Sequence, residues 1–246
     1  MAGPLKTEGV ILRSLRYGEA DRILHVFTPH RGKLGAIAKG VRRARSRFGG
    51  RLESFFRVEL MLHEGRSDLM TVTGAQTIEG HPRLRADAAC LDSASRACDA
   101  VTRLFDDGDP HPDVFNLLCH ELALLDAGRA HATVANQLAF RLKLLLAAGL
   151  APQLAACASC GERDHLSGFS GAAGGVVCGA CESSAFALDE ETHRFMVEAL
   201  GRPLAEAPQA PERALRQADR AVVETAGHHA GVQLREAVVR VGSPRP

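Results

Sequence analysis

The sequence predicts an α+β, multidomain chain: an N-terminal OB-type β-barrel, then a central and C-terminal α-helical domain with an inserted four-cysteine zinc ribbon. Three observations predict it. Apolar and polar residues alternate in short runs over the first 80 residues, and the apolar spacing then lengthens to that of a helix. Two Cys-x-x-Cys pairs also stand seventeen residues apart in a glycine-rich stretch.

The strand signals come first. Val58, Leu60 and Leu62 alternate with Arg57, Glu59, Met61 and His63, which buries one face. Leu34, Ala36 and Ala38 alternate more weakly. Residues 5–16 and 22–27 are β-rich runs closed by turn signals at Tyr17-Gly18 and Thr28-Pro29, and residues 69–73 supply a fifth strand. Five strands of this size suit a small closed barrel, which removes sheet edges and leaves one face and its loops for ligands.

After His81-Pro82, Leu91, Ala94, Cys98, Val101 and Phe105 fall at helical spacing. Pro112 suits the first residue of another helix, with Phe115, Leu118, Leu122 and Leu125 on its apolar face. Residues 130–148 are apolar around most of a helix circumference, which implies burial ahead of the alternative of a docked partner, and stop at Gly149. Asp189 is placed to cap a further helix. A Pro-containing break at 202–211 precedes a last helix over 212–230. The domain reading is 1–80 for the barrel, 81–150 for the helical domain, 151–187 for the zinc element, and 188–246 for helices packing on the helical domain.

Composition narrows the class. In 246 residues, 46% hydrophobic and 24% charged content excludes general disorder. The longest strongly apolar stretch, 144–150, falls far short of the roughly 18 residues of a membrane span. No basic region followed by an apolar stretch marks the start as a secretory signal. The expectation is a cytoplasmic protein. The formal charge of +1 is unevenly spread: residues 1–80 hold 14 Lys+Arg against 8 Asp+Glu, and the remainder 16 against 21. Residues 39–52, KGVRRARSRFGGRL, carry six basic side chains and no acid, which points to a polyanion.

Cys157, Cys160, Cys178 and Cys181 form two tight pairs, the arrangement that presents four thiolates to one Zn²⁺. Four sulfur ligands leave no open position, so the ion, one per chain, is expected to be structural. Cys90, Cys98 and Cys119 read as small buried hydrophobes, and His165 as a surface residue. Gly35 and Gly40 have phosphate-loop spacing, but Val41 follows them. No dinucleotide fingerprint, HExxH pair, GxSxG elbow or carboxylate cluster is present. The residues describe a binding protein with no catalytic residue rather than an enzyme.

Residues 10–48 resemble the opening of the RecO family of bacterial recombination mediators. The resemblance rests on Tyr17-Gly18-Glu19-Ala20-Asp21, Phe27-Thr28, Gly32 and Ala38-Lys39-Gly40-Val41-Arg42. The order barrel, helices, four-cysteine element extends it over nearly the whole chain. It implies DNA repair and recombination through the RecF pathway after DNA damage. Such a protein binds single- and double-stranded DNA and anneals complementary strands without ATP. It engages the C-terminal tail of single-strand binding protein and, with RecR, assists loading of RecA; RecF is a further implied partner, and association with the nucleoid follows. Lys39 and Arg42 match the family's basic stretch. Lys33, Arg43, Arg45, Arg47 and Arg51 extend the DNA-binding set on charge alone. Four to six such contacts give a salt slope of roughly −3 to −4 on single strands. Tyr17, Phe27, Phe48, Phe55 and Phe56 are the few barrel aromatics, and at least one of the last two belongs in the core, so base stacking is expected to be minor. The rival reading is a zinc-ribbon protein–protein adaptor without DNA activity.

Overall fold

A computed structural model describes residues 4–43, 46, 48–65, 69–181 and 185–237. The chain divides into two compact units, Met1–Arg129 and Ala130–Pro246.

The first unit opens with β1 (Leu5–Tyr17), β2 (Asp21–Thr28), β3 (Gly32–Ala38), β4 (Arg57–His63) and β5 (Met70–Glu79). They close into a barrel in the order β1-β2-β3-β5-β4. All neighbours are antiparallel except β3 and β5, which meet in parallel at Ala36↔Met70 and Ile37↔Thr71. The alternation read in β4 is real: Val58, Leu60 and Leu62 are fully buried, with Ile11, Leu24, Val26, Ala36 and Val72 beside them. β5 runs on to Glu79, well past Thr73, because pairing with β4 carries it beyond its own apolar run.

The long β3–β4 connection is more than a solvated loop. Val41, Phe48, Leu52 and Phe56 drop from it into the barrel core. Phe56 is thus the core member of its pair, while Phe55 takes φ 71° and donates its N–H to the Ile11 carbonyl (2.7 Å).

Three helices complete this unit: α1 (Pro82–Ala86), α2 (Ala88–Leu104) and α3 (Pro112–Ala127). Asp87 caps α2 by accepting from the Ala89 and Cys90 N–H groups. Phe27 points out of the barrel and lies under Phe105 and Phe115, at centroid distances of 6.4 and 6.5 Å.

The second unit holds α4 (Val134–Ala147), β6 (Leu166–Ser170), β7 (Gly175–Cys178), β8 (Phe186–Ala187), α5 (Glu190–Gly201) and α6 (Glu212–Ala230). α4 starts later than its apolar run suggests, after a 3₁₀ turn at Arg129–His131, because Thr133 caps it by accepting from the Asn136 N–H. Asp189 caps α5 through the Thr192 N–H, as its position in the sequence predicts. Gly149, at φ 71°, ends α4 in the left-handed region. The glycine-rich stretch forms a small antiparallel sheet in the order β7-β6-β8. Among the described residues, no helix is long and apolar enough to cross a membrane.

Candidate metal centre and nucleic-acid interface

The four cysteines come together as their spacing predicts. Cys157 and Cys160 lie in a turn where the Gly161 N–H donates to the Cys157 carbonyl (2.8 Å), with Gly161 at φ 80°. Cys178 ends β7, and the Cys181 N–H returns to its carbonyl (2.9 Å). All four sulfurs lie within 4.8 Å of one another, and Cys160 Sγ stands 3.7 Å from Cys178 Sγ. Tetrahedral thiolates about 2.3 Å from a central Zn²⁺ would be about 3.8 Å apart, so the residues fit a metal ion.

Electrostatics agree. Backbone N–H groups, that of Cys178 foremost, bring the Cys157 thiol down to about 6. Hydrogen bonding from Cys160 and Cys178 pushes Cys181 up to about 12. The site thus favours one thiolate at Cys157 and opposes another at Cys181, the charge crowding that a bound cation relieves. His165 is exposed and takes no part in the cluster. Cys90 and Cys98 are buried, as their helical setting predicts, whereas Cys119 is only half-buried.

This element is pinned to α5 and α6. A side chain at Gly171 would meet Glu224 Cβ at 2.6 Å, so the β6–β7 turn lies directly on α6. His229 Nε2 donates to the Gly171 carbonyl (2.8 Å), and the Arg220 guanidinium sits 4.1 Å from the Phe186 ring centroid. His193 Nε2 donates to the Leu154 carbonyl (2.7 Å). Nothing in the sequence around His229 signals more than a helix end, since its partner lies 58 residues away.

On the barrel, the β1–β2 hairpin clasps the start of the basic segment. The Gly40 N–H donates to Asp21 Oδ1 (2.7 Å). The Arg42 N–H donates to the Ala20 carbonyl (2.9 Å), and its guanidinium to the Glu19 carbonyl (3.1 Å). Gly40 stands at φ 66°, a turn that glycine makes without strain. The motifs at 17–21 and 38–42 are therefore two halves of one joint. From it Lys39, Arg42 and Arg43 emerge exposed, and Arg51 is exposed farther along. Arg45 and Arg47 lie outside the described residues.

Lys33 is placed differently. Its ammonium donates to the Thr102 carbonyl (2.8 Å) and pairs with Asp107 (3.2 Å), with only 16% of its side chain exposed. It ties β3 to the end of α2. Sequence reasoning passed over Arg13 and Arg16, both exposed on β1. Alternation along 13, 15 and 17 would have found Arg13 beside exposed Leu15 and Tyr17, but not Arg16, which pairs with Arg22 on the other face of the strand.

Two family models match the chain: "Recombination protein O N terminal" over residues 1–81 and "Recombination protein O C terminal" over 85–236. A curated protein named DNA repair protein RecO, from Rubrobacter xylanophilus, is 39% identical over 224 residues, covering 89% of this chain and 88% of that protein. Its namesake in Anaeromyxobacter sp. strain Fw109-5 is 34% identical over 95% of this chain and 94% of its own length. That of Geobacter sulfurreducens is 37% identical, at 80% and 81% coverage.

Proposed function

Because the chain belongs to the RecO family of DNA repair proteins, we propose that it binds single- and double-stranded DNA and anneals complementary strands without ATP. In the same reading it works with RecR, and alongside RecF, to load RecA on strands coated by single-strand binding protein, whose C-terminal tail it engages. It acts by holding strands rather than by turnover.

The clasp between Asp21 and Gly40 carries this reading. It fixes the root of a cation-rich segment whose apolar residues are anchored in the barrel, so Lys39, Arg42 and Arg43 stand together at one corner. Cations so gathered neutralise phosphates and release counterions without reading sequence. Arg45, Arg47 and Arg51 are proposed to join them. Lys33, already paired, contributes through the frame it braces.

The cysteine cluster is proposed to hold one structural Zn²⁺. Cys157, Cys160, Cys178 and Cys181 would fill its coordination, and the ion would lock the β6–β8 element rather than activate a ligand. Work confined to DNA implies a cytoplasmic, nucleoid-associated protein.

Annealing of two dye-labelled complementary oligonucleotides, without ATP and across a salt series, tests the reading. The protein is expected to accelerate annealing and to lose that effect as salt rises. The combined variant Arg42→Ala, Arg43→Ala, Arg45→Ala, Arg47→Ala is expected to bind DNA weakly with a flatter salt slope. Folded, metal-loaded protein that leaves the spontaneous rate unchanged would overturn it.

A further inference from the structure

His81 joins β5 to α1 at φ 45°, in the left-handed region that a residue with a side chain enters only with strain. A helix is usually capped at this position by a short polar side chain, yet the His81 ring makes no cap bond. The capping comes from α3 instead. There Asp126 Oδ1 accepts from the Arg83 and Leu84 N–H groups (2.8 and 2.9 Å). Only 3% of the His81 side chain is exposed, and its Nε2 has no hydrogen-bond partner among the described residues. A buried polar atom left unpaired is destabilising, so packing alone does not favour histidine here.

The ring lines a cavity of about 300 Å³ together with Glu79, Gly80, Pro82, Ala123 and Asp126, none of them cationic. Its Nε2 faces Glu79 Oε2 across 4.0 Å. Glu79 is only partly neutralised, because Arg57 stands 3.6 Å from it and bonds more closely to Glu8. Burial keeps the imidazole neutral against the pull of Asp126 and Glu79, so it offers a lone pair rather than a charge. Two carboxylates and one neutral ring nitrogen call for a cation, and the spacing says which kind. Two atoms about 2.1 Å from one metal ion stand about 3.5 Å apart in a tetrahedron, and about 3.0 Å apart at an octahedral right angle. The 4.0 Å gap is too wide for either. A nitrogen about 2.9 Å from both acceptors subtends an angle near 90°, which two N–H bonds of one ammonium or guanidinium nitrogen meet within the bend that hydrogen bonds tolerate. The volume equals that of about ten waters, which suits a cationic head with part of its stem.

Beyond the DNA-binding reading, we infer that this cavity binds an alkylammonium or guanidinium group, held between His81 Nε2, Glu79 and Asp126. The group arrives on a free polyamine or on a lysine or arginine side chain of another protein, and the chemistry that recognises it is the same. The site shares no residue with the basic corner and takes the opposite charge. The first unit can therefore hold a cationic ligand while its own cations hold a polyanion.

The imidazole proton resonances of His81, identified by their loss in His81→Asn, report on the site in the full-length, metal-loaded protein. Three cations are titrated at about pH 7.5, where the folded ring is neutral: N-acetyl-lysine methylamide, N-acetyl-arginine methylamide and putrescine. Uncharged N-acetyl-norleucine methylamide at the same ionic strength is the control. At least one cation is expected to shift the His81 resonances saturably, and the control to leave them in place. Stronger binding of the amino-acid compounds assigns the site to a protein side chain, and stronger binding of putrescine to a free polyamine. Glu79→Gln, at a half-exposed position, is expected to weaken binding about tenfold. Asp126→Asn keeps an acceptor oxygen for α1 and is expected to weaken it similarly. No saturable shift with any cation overturns the inference, as does equal binding by the wild type and both variants. A shift produced by Mg²⁺ at equal ionic strength would make this a metal site and overturn it as well.

Discussion

Asp219 on α6 is a carboxylate almost wholly out of water, with 6% of its side chain exposed, and its partner Arg141 on α4 has 2% exposed. The guanidinium approaches one oxygen at 3.3 Å, while both oxygens accept from the Ala237 N–H (3.0 and 2.9 Å). This one group therefore joins two helices to the segment after α6. Asp219→Ala would take away a carboxylate that pairs with a buried guanidinium and accepts the Ala237 N–H. A loss of about 3–5 kcal/mol in urea unfolding of the second unit is expected. His81, at φ 45° and 4% exposed, is a second buried polar residue. Burial pushes its imidazole below the ordinary value, against the pull of Asp126 and Glu79. As pH falls through about 6.5 the unfolded chain takes up a proton that the folded one refuses, so stability is lost on the acid side. His81→Asn accepts the left-handed backbone and removes the titration. It is expected to shrink the fall in Tm between about pH 7 and pH 5.5, and an unchanged fall would assign the loss to other groups. Neither residue was legible in the sequence: burial of a lone Asp or His depends on partners tens of positions away.

The hairpin clasp and the four-cysteine element are each more than the sum of their residues. Asp21→Ala removes the acceptor for the Gly40 N–H and frees the root of the basic segment. DNA affinity is expected to fall several-fold, while Asp21→Asn, which keeps an acceptor oxygen, retains most of it. Equal loss in both variants would make charge, not positioning, the role of Asp21. In the metal element, Cys157→Ser is expected to abolish a metal content near one per chain and to expose residues 151–187 to protease. A full complement of metal in that variant would disprove the ligand set. Elements with local signatures were readable in advance: period-two strands, the Asp189 cap, Pro112 opening α3, and the Cys-x-x-Cys turns. β6–β8 carried no such signature, being strands of two to five residues built on glycines. The anchors Val41, Phe48 and Leu52 were hidden because an irregular connection has no period to detect, whereas Phe56 fulfils the expectation that one of Phe55 and Phe56 is core.

At the scale of the molecule, compactness divides the chain after Arg129, so α1–α3 belong with the barrel. The sequence signals a change of period near His81, but a change of period is not a change of core. Phe27 needs an outer cover that α2 and α3 supply, and Lys33 bonds to the end of α2. Charge marked Lys33 as a candidate for phosphate, whereas its setting depends on a carbonyl 69 residues away. Barrel closure also sets an order in time. β5 enters between β3 and β4, and β1 meets β4 at Leu5↔Leu62, so the sheet cannot shut until the chain through Glu79 is present. Ring closures over such separations are slow beside the nanosecond-to-microsecond growth of helices such as α4 and α6. In stopped-flow refolding of metal-loaded protein, helical signal is expected early and Tyr17 fluorescence late. The corner that presents Lys39, Arg42 and Arg43 would then be among the last parts of the barrel to mature, so a chain refolding from denaturant would gain its helices before its grip on a polyanion.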